Sequence, residues 1–436
     1  MRLLADHTPA PGERWIYSAG FNAGPALADT GRIDVELADL ARLSDAGART
    51  ALISHQGSAK DGSARHLDYL ADYLSGRLGR PVRYLPENST ARARAWAREL
   101  LPGEIALFGN TRLDPGEERG DPELARALAG LGDRVAIGGF SKAHRRHASN
   151  TGLLDHLPGW AAAGLVGEAR ALDPWAAGSG SGAGSGDSAS GDADGDATGG
   201  AGPSVAVLGG VKPEKTLIGL RGLTRTHHLV IPGGVVLNTL LAVTGHRIGR
   251  SELGSDPEGC ARAAREVLAR TGGAGIHLPR VVVAAGPDGA VRHLPLHRGV
   301  PDDHAIVDFE VQPGAVELLR RAGRVLVAGT PGRHAEGNRH AAAAVLAARA
   351  HAPGGTLLLG GDTVAELPWD GPRSTGGGSA LQYLVEGTCA VFEALAANAA
   401  RTDPTPPRPG TDPAPPRPRS DAIPYQSRRG AAHDDR

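Results

Sequence analysis

The sequence predicts an α/β protein built as two doubly wound, Rossmann-like parallel-sheet lobes. Three observations carry that expectation. Short apolar runs alternate with amphipathic stretches along most of the 436 residues, the pattern of strands joined by crossover helices. The alternation stops once, at a run of small residues, and then resumes. Several apolar runs of the second half end at glycine, as strands do where their carboxyl ends form a ligand crevice.

In the first half, Thr50-Ala51-Leu52-Ile53-Ser54, Ile105-Ala106-Leu107-Phe108 and Val135-Ala136-Ile137 read as buried strands. Leu67 to Leu78 and Pro122 to Leu131 read as the helices between them. Gly178 to Pro203 holds only Gly, Ser, Ala, Asp and Thr before its final Pro. Such a segment cannot bury a core, so a flexible, mildly acidic linker without defined structure is expected. Pro203 to about Ala400 repeats the alternation. Its strand candidates are Val205 to Leu208, His228 to Ile231, Val281 to Val283, Val325 to Val327 and Thr356 to Leu359. From Thr402 onward Pro, Arg, Asp and Ser dominate, which reads as a disordered tail.

Composition narrows the function classes. The formal net charge is -1, so no global field draws nucleic acid or anionic membrane. Two cysteines, Cys260 and Cys389, make neither a disulfide framework nor a zinc pattern and suit a reducing cytosol. The N-terminus lacks a signal-peptide core, and no apolar run is long enough to span a bilayer.

The chemistry lies in two groups of residues. Leu359-Gly360-Gly361-Asp362-Thr363 and Arg373-Ser374-Thr375-Gly376-Gly377-Gly378-Ser379 are glycine turns behind apolar runs. Backbone N–H groups at such a turn face phosphate, and Asp362 can hold Mg²⁺. With Gly209-Gly210, Gly233-Gly234, Gly329, Lys212 and Lys215, these turns form a nucleotide edge. A lysine there stabilises the charge of a transferred phosphoryl group. No Gly-x-Gly-x-x-Gly follows the first strand and no Gly-x-x-x-x-Gly-Lys-Ser/Thr occurs, so dinucleotide and P-loop signatures are absent. The first half gathers Asn22, Arg32, His55, Arg112 and Lys142-Ala143-His144-Arg145-Arg146-His147 near strand ends. Arginine forks there would bind a small carboxylate or phosphate. The alternative is a set of solvated surface bases, and a zinc pair at His144 and His147 lacks further ligands. An anion site in one half and a nucleotide edge in the other suggest a two-lobed kinase that closes on its substrates.

From about Trp15 to Leu395 the chain is similar to the phosphoglycerate kinase family. The matches are Gly20-Phe21-Asn22, Leu52-Ile53-Ser54-His55-Gln56-Gly57, Phe108-Gly109-Asn110-Thr111-Arg112, Phe140 to Ser149, Val207-Leu208-Gly209-Gly210, Gly360-Gly361-Asp362-Thr363 and Ser374-Thr375-Gly376-Gly377-Gly378, in the family's order and spacing. The resemblance implies the phosphoglycerate kinase fold. Its acid-binding lobe would lie at 1–166 and an interdomain helix and insertion at 167–203. A nucleotide lobe would follow at 204–384, a segment returning to the first lobe at 385–400, and a tail at 401–436. It also implies reversible transfer of the ATP γ-phosphoryl group to a carboxylate with Mg²⁺, by a cytoplasmic monomer. Asn22, Arg32, His55, Arg112, His144 and Arg145 would hold the acid, with Arg32 beside the reacting carboxylate. Lys215 would follow the transferred group, with Lys212 upstream and Gly377 at the phosphate-facing helix start. Gly233, Gly234, Gly329, Glu336, Gly360, Gly361, Thr363, Gly376 and Gly378 would complete the nucleotide site, and Asp362 would carry the metal.

The departures bear on the substrate. The family carries Asp where this chain has Gly20 and Arg where it has Ser58. Its Trp-Asn-Gly-Pro stretch is Val327-Ala328-Gly329-Thr330, and the lysine loop is one residue shorter. Arg146 is a candidate compensation. The acid is therefore either 3-phosphoglycerate or a related acid of a specialised pathway. The competing reading is a non-catalytic nucleotide- and anion-binding protein.

Overall fold

The computed structural model describes residues 1–176, 202–273 and 275–402. The linker reading (apart from its last two positions) and the tail reading (apart from Thr402) lie outside the described residues.

The first six strands are β1 (Arg14–Ser18), β2 (Arg49–Ser54), β3 (Val82–Leu85), β4 (Ile105–Asn110), β5 (Arg134–Ile137) and β6 (Gly159–Ala161). They form one sheet in the order β3-β4-β2-β1-β5-β6, and every pairing is parallel. Helices on both faces cover strands such as β4, which is buried throughout. That burial explains the unbroken apolar runs. Helix starts follow local signals. Thr90 caps the helix Ala91–Glu99, and Asp121 with Pro122 opens Pro122–Ala129.

The later strands are β7 (Ser204–Leu208), β8 (Leu229–Pro232), β9 (Val281–Ala285), β10 (Val291–Pro295), β11 (Ala305–Phe309), β12 (Arg324–Ala328), β13 (Thr356–Leu359) and β14 (Arg373–Ser374). Five of them form a second parallel sheet, β14-β13-β12-β7-β8. The strand expected at Val281 to Val283 exists, but it leaves the parallel sheet. It is the middle of a separate antiparallel sheet, β10-β9-β11. A short turn through Pro287-Asp288-Gly289 joins β9 to β10, and Gly289 has φ +78°. Such a connection makes antiparallel neighbours; a parallel pair needs a crossover.

Each parallel sheet reverses its strand order once, at β1/β5 and at β7/β12. These switch points are where such sheets open a crevice. In both, the two loops touch backbone to backbone. A Cβ on Gly20 would lie 2.4 Å from Gly139 Cα, and a Cβ on Gly329 would lie 2.1 Å from Gly209 O. Only glycine allows that approach.

The lobes are joined by side chains as well as by chain. Ser374 Oγ donates to Glu168 Oε2 at 3.1 Å, and Tyr383 OH to Asp173 Oδ1 at 2.6 Å. The helix Ala390–Thr402 packs back on the first sheet. There Asn398 donates to Leu154 O and Leu157 O and accepts from the Gly159 N–H.

Candidate active site

One cavity of about 430 Å³ runs between the two switch points. Every residue assigned above to acid, nucleotide or metal lines it except Gly233, whose neighbour Gly234 forms the wall. From the first lobe come Asn22, Arg32, His55, Arg112, His144 and Arg145. Lys212, Lys215, Gly329, Glu336 and the turns Gly360–Thr363 and Gly376–Gly378 face them. Arg146, the candidate compensation, lies elsewhere. Its guanidinium pairs with Glu393 of the last helix at 2.9 Å, in the open.

Arg32 and His144 reach across the cleft. Arg32 Nη2 donates to Thr375 O at 3.3 Å. The same Nη2 would lie 3.5 Å from a Cβ on Gly361. His144 Nδ1 meets Ser379 Oγ at 2.7 Å. A first-lobe arginine therefore lies directly over the second lobe's glycine turns.

The first-lobe end, where the acid is expected, is strongly cationic. Burial, then Arg112, Lys142 and Arg145, hold His55 well below its ordinary value. Burial and Arg145 bring His144 down to about 4, and burial with Arg145 and Arg112 brings His147 to about 3. These imidazoles are neutral near pH 7, so the fixed positive charge rests on arginine and lysine. Arg32 Nε and Arg112 Nε are buried without a hydrogen-bond partner. Arg112 Nη1 donates to Gly57 O at 2.5 Å, and Ser58 Oγ donates to Glu118 Oε2 at 2.9 Å. Glu118 also lies 3.7 Å from Arg112 Nε. Where the family has a second arginine, this chain has a hydroxyl tied to a carboxylate.

At the nucleotide end, Lys215 opens a π-helical turn, Lys215–Leu220. Such turns recur at functional sites. Lys215 is only 8 % exposed. Burial first, then Lys212, brings its ammonium down to about 8. No hydrogen bond or ion pair holds it among the described residues. Lys212 Nζ pairs with Asp362 Oδ2 at 3.2 Å, both largely exposed. The helix Gly377–Glu386 points its first turn into the cavity, with Gly377 at φ +56°. Among the described residues its leading N–H groups, at Gly377 and Gly378, have no hydrogen-bond acceptor. That donor set fits a polyphosphate with its Mg²⁺: free N–H groups, a lysine and an open carboxylate.

Sequence reasoning missed several wall residues. Asn238 lines the nucleotide side with its Oδ1 unpaired. Asp308 lines it too, at the end of β11, and caps the helix starting at His340 through the His340 and Ala341 N–H groups. Lys142 lines the acid side; it lay within the quoted basic run but received no role. No helix among the described residues is long and apolar enough to cross a membrane.

Two switch-point crevices, one cationic and one built from glycine turns with lysine and carboxylate, meet on a single cavity. That arrangement defines a two-lobed phosphotransferase. Comparison with known proteins gives its family. The family model of phosphoglycerate kinase matches residues 19–174 and 196–397. The phosphoglycerate kinase of Sphingopyxis alaskensis is 33 % identical over 407 residues, covering 88 % of this chain and 96 % of that protein. That of Zymomonas mobilis is 32 % identical over 411 residues, with the same coverage of each. The crystal structure of phosphoglycerate kinase from Pyrococcus horikoshii superposes with TM-score 0.68 at 23 % identity, covering 92 % of this chain and all of that one. The Coxiella burnetii structure gives 0.63 at 22 % identity, covering 91 % and 98 %. The chain belongs to the phosphoglycerate kinase family, and as a member of that family it is a phosphotransferase.

Proposed function

We propose that the protein transfers the ATP γ-phosphoryl group to the carboxylate of 3-phosphoglycerate, reversibly, giving 1,3-bisphosphoglycerate and ADP. The observation that carries this reading is the convergence of Arg32, Lys215 and the Gly377 helix start on one cavity. In it, residues 1–166 hold the acid, 204–384 hold the nucleotide, and 385–400 tie the second lobe back to the first. The reading takes the protein to be a cytoplasmic monomer, as the family resemblance implies.

The acid is ionised near neutral pH, so its oxygen attacks without a general base. The new bond forms between that oxygen and the γ-phosphorus. The bond from phosphorus to the β–γ bridging oxygen breaks, and its electron pair stays on ADP. No proton moves. Asn22, His55, Arg112, His144 and Arg145 orient the acid, and Arg32 holds the attacking carboxylate against the second lobe. Lys215 carries positive charge to the transferring oxygens, and the Gly377 and Gly378 N–H groups receive the phosphate. Lys212, Gly233, Gly234, Gly329, Glu336, Gly360, Gly361, Thr363 and Gly376 form the nucleotide walls. Mg²⁺, held through Asp362, would neutralise part of the polyphosphate charge.

The test is a hydroxamate-trapping assay with ATP, Mg²⁺ and 3-phosphoglycerate, followed by a panel of related carboxylic acids. Hydroxylamine intercepts an acyl phosphate whatever acid carries it. Trapping with 3-phosphoglycerate is expected. Trapping only with another acid would replace the substrate. One observation favours that second reading: Glu118 occupies Ser58 and faces Arg112 at the far end of the acid site. No observation favours the non-catalytic alternative.

Asp362→Ala separates metal handling from stability. The carboxylate's one partner among the described residues is exposed Lys212, and exposed pairs add at most about 1 kcal/mol. The melting temperature should therefore barely move. Turnover at limiting Mg²⁺ should fall about 100-fold, with recovery as Mg²⁺ rises, since loss of a direct ligand costs at least what an outer-shell partner costs. A magnesium titration of initial rates reads this directly.

A further inference from the structure

The chain holds four lysines, Lys60, Lys142, Lys212 and Lys215, among 47 Lys and Arg residues. Three of the four line the catalytic cavity. Lys212 and Lys215 have places in the reading above; Lys142 has none. Yet Lys142 is 4 % exposed. Its ammonium has a single hydrogen bond, to Ser18 Oγ at 2.5 Å. Ser18 in turn donates to Ser149 O at 2.6 Å. Two of the three ammonium N–H donors therefore have no protein partner, and no carboxylate stands within ion-pair distance among the described residues. Burial pulls Lys142 down to about 8; the buried carboxylates of Glu36 and Glu117, outside ion-pair distance, partly offset this, and Arg112 adds a smaller downward push.

A buried ammonium held by one hydroxyl is costly to keep, because its lost hydration is not replaced. Its location decides what would replace it. Lys142 shares the acid end of the cavity with Asn22, His55, Arg112 and Arg145, and its charge is felt at His55 and His147. The backbone cannot swing it away, since the Lys142 N–H donates to Gly139 O and its C=O accepts from Asn150 Nδ2.

We propose that Lys142 is a direct ligand of the acid substrate, donating its two free N–H groups to the substrate's oxygens beside Arg112 and Arg145. Lys142 thereby selects acids that carry a second anionic group besides the reacting carboxylate. The assignment rests on the carboxylate-kinase reading. It adds a fixed cation at an end that has Ser58 in place of an arginine.

The experiment uses the full chain labelled with ¹³C,¹⁵N-lysine, which gives four lysine side-chain signals. Lys142 is assigned by its disappearance in Lys142→Gln and is titrated with pH, with and without saturating 3-phosphoglycerate and without nucleotide. The expected result is that the acid moves the Lys142 titration upward by at least about one unit, as a neighbouring anion does. In kinetics, Lys142→Gln should raise the KM for the acid about 10- to 100-fold, the size of a lost charge-assisted hydrogen bond. The nucleotide KM should stay unchanged, and Lys142→Arg should recover part of the loss. A Lys142 signal unmoved by an acid that calorimetry shows to be bound overturns the proposal. So does an acid KM within about twofold of wild type in the Gln variant. Wild-type turnover is read in the same assay: its absence with 3-phosphoglycerate strikes the acid assignment of the previous section, whereas a working wild type with an unaffected variant strikes Lys142 alone.

Discussion

Lys215→Met is expected to lower turnover about a thousandfold while leaving the protein at least as stable as wild type. Positioned donors at developing charge contribute about 10²–10³ each, and a cation on a transferring phosphoryl group can contribute more. Lys215 is the cavity's one buried ammonium with neither hydrogen bond nor ion pair among the described residues. Methionine is one heavy atom shorter than lysine, fills most of the same apolar volume and removes the charge, so little space opens at the π-helical turn. The stability half follows from linkage. Folding brings Lys215 from its ordinary value of 10.5 to about 8. Below about pH 8 it is protonated in both folded and unfolded chains, and the burial penalty is fully present, on the order of 3 kcal/mol. Between about 8 and 10.5 the unfolded chain binds more protons, so wild type gains stability as pH rises. The Met variant should therefore melt higher than wild type at pH 7 and lose that advantage by pH 10.5. The free-enzyme kcat/KM of wild type should fall above about pH 8, as Lys215 loses its proton beside Lys212, Glu214 and Asp362. Single-turnover rates and paired melting curves at pH 7 and 10.5 check both halves. A Met variant with near-normal turnover would remove Lys215 from the reaction.

How much of this was readable beforehand depends on the range of the contact involved. Strands such as Thr50 to Ser54 and Val205 to Leu208 were legible because a strand buried on both faces must be an unbroken apolar run. The glycine turns at Gly360 and Gly376 were legible because glycine directly behind an apolar run marks a tight turn at a strand end. By contrast, β9 reads as one more strand until its pairing is known, because apolar composition does not record strand direction. Lys142 stands in a basic run beside Arg145 and Arg146, and sequence cannot say that one side chain enters the cavity while another pairs with Glu393. Asp308 and Asn238 were missed for a similar reason: single polar residues in apolar runs show their role only when the opposite wall is in place. Lys212 and Lys215 both line the cavity despite the one-residue shortening of their loop.

The family's aspartate cannot simply be returned to position 20. Gly20→Asp is expected to lower the melting temperature by about 10 °C or more, and to give no gain in acid binding. A Cβ at position 20 would lie 2.4 Å from Gly139 Cα and 3.2 Å from its carbonyl carbon. Those are backbone atoms at the switch point, with Gly139 at φ +72°, so relief requires β1 and β5 to part. Overpacking by even a methyl group costs about 1–3 kcal/mol where the surroundings can adjust, and more where they cannot. The carboxylate meets a second obstacle, because a buried carboxylate already stands against the backbone of position 20. Glu36 Oε1 accepts the Gly20 N–H at 3.2 Å, and Glu36 Oε2 accepts the Tyr17 hydroxyl at 2.6 Å. Glu36 is buried, and burial has already raised it well above the usual carboxylate range. A second carboxyl beside it would be unpaired or protonated, at a further cost of several kcal/mol. Gly20→Ala divides the two causes. If the close approach dominates, the alanine variant should melt nearly as low as the aspartate variant, since both carry the offending Cβ. If alanine melts within about 2 °C of wild type, the Gly20–Gly139 contact is not tight, and the loss in the aspartate variant belongs to charge alone. At this scale about 4 kcal/mol corresponds to roughly 8–16 °C in a lobe of this size, well within reach of a thermal melt followed by circular dichroism. Glu36 thus sets a buried carboxylate against the Gly20 backbone, and with the Gly139 approach it ties Gly20 to this chain's own packing.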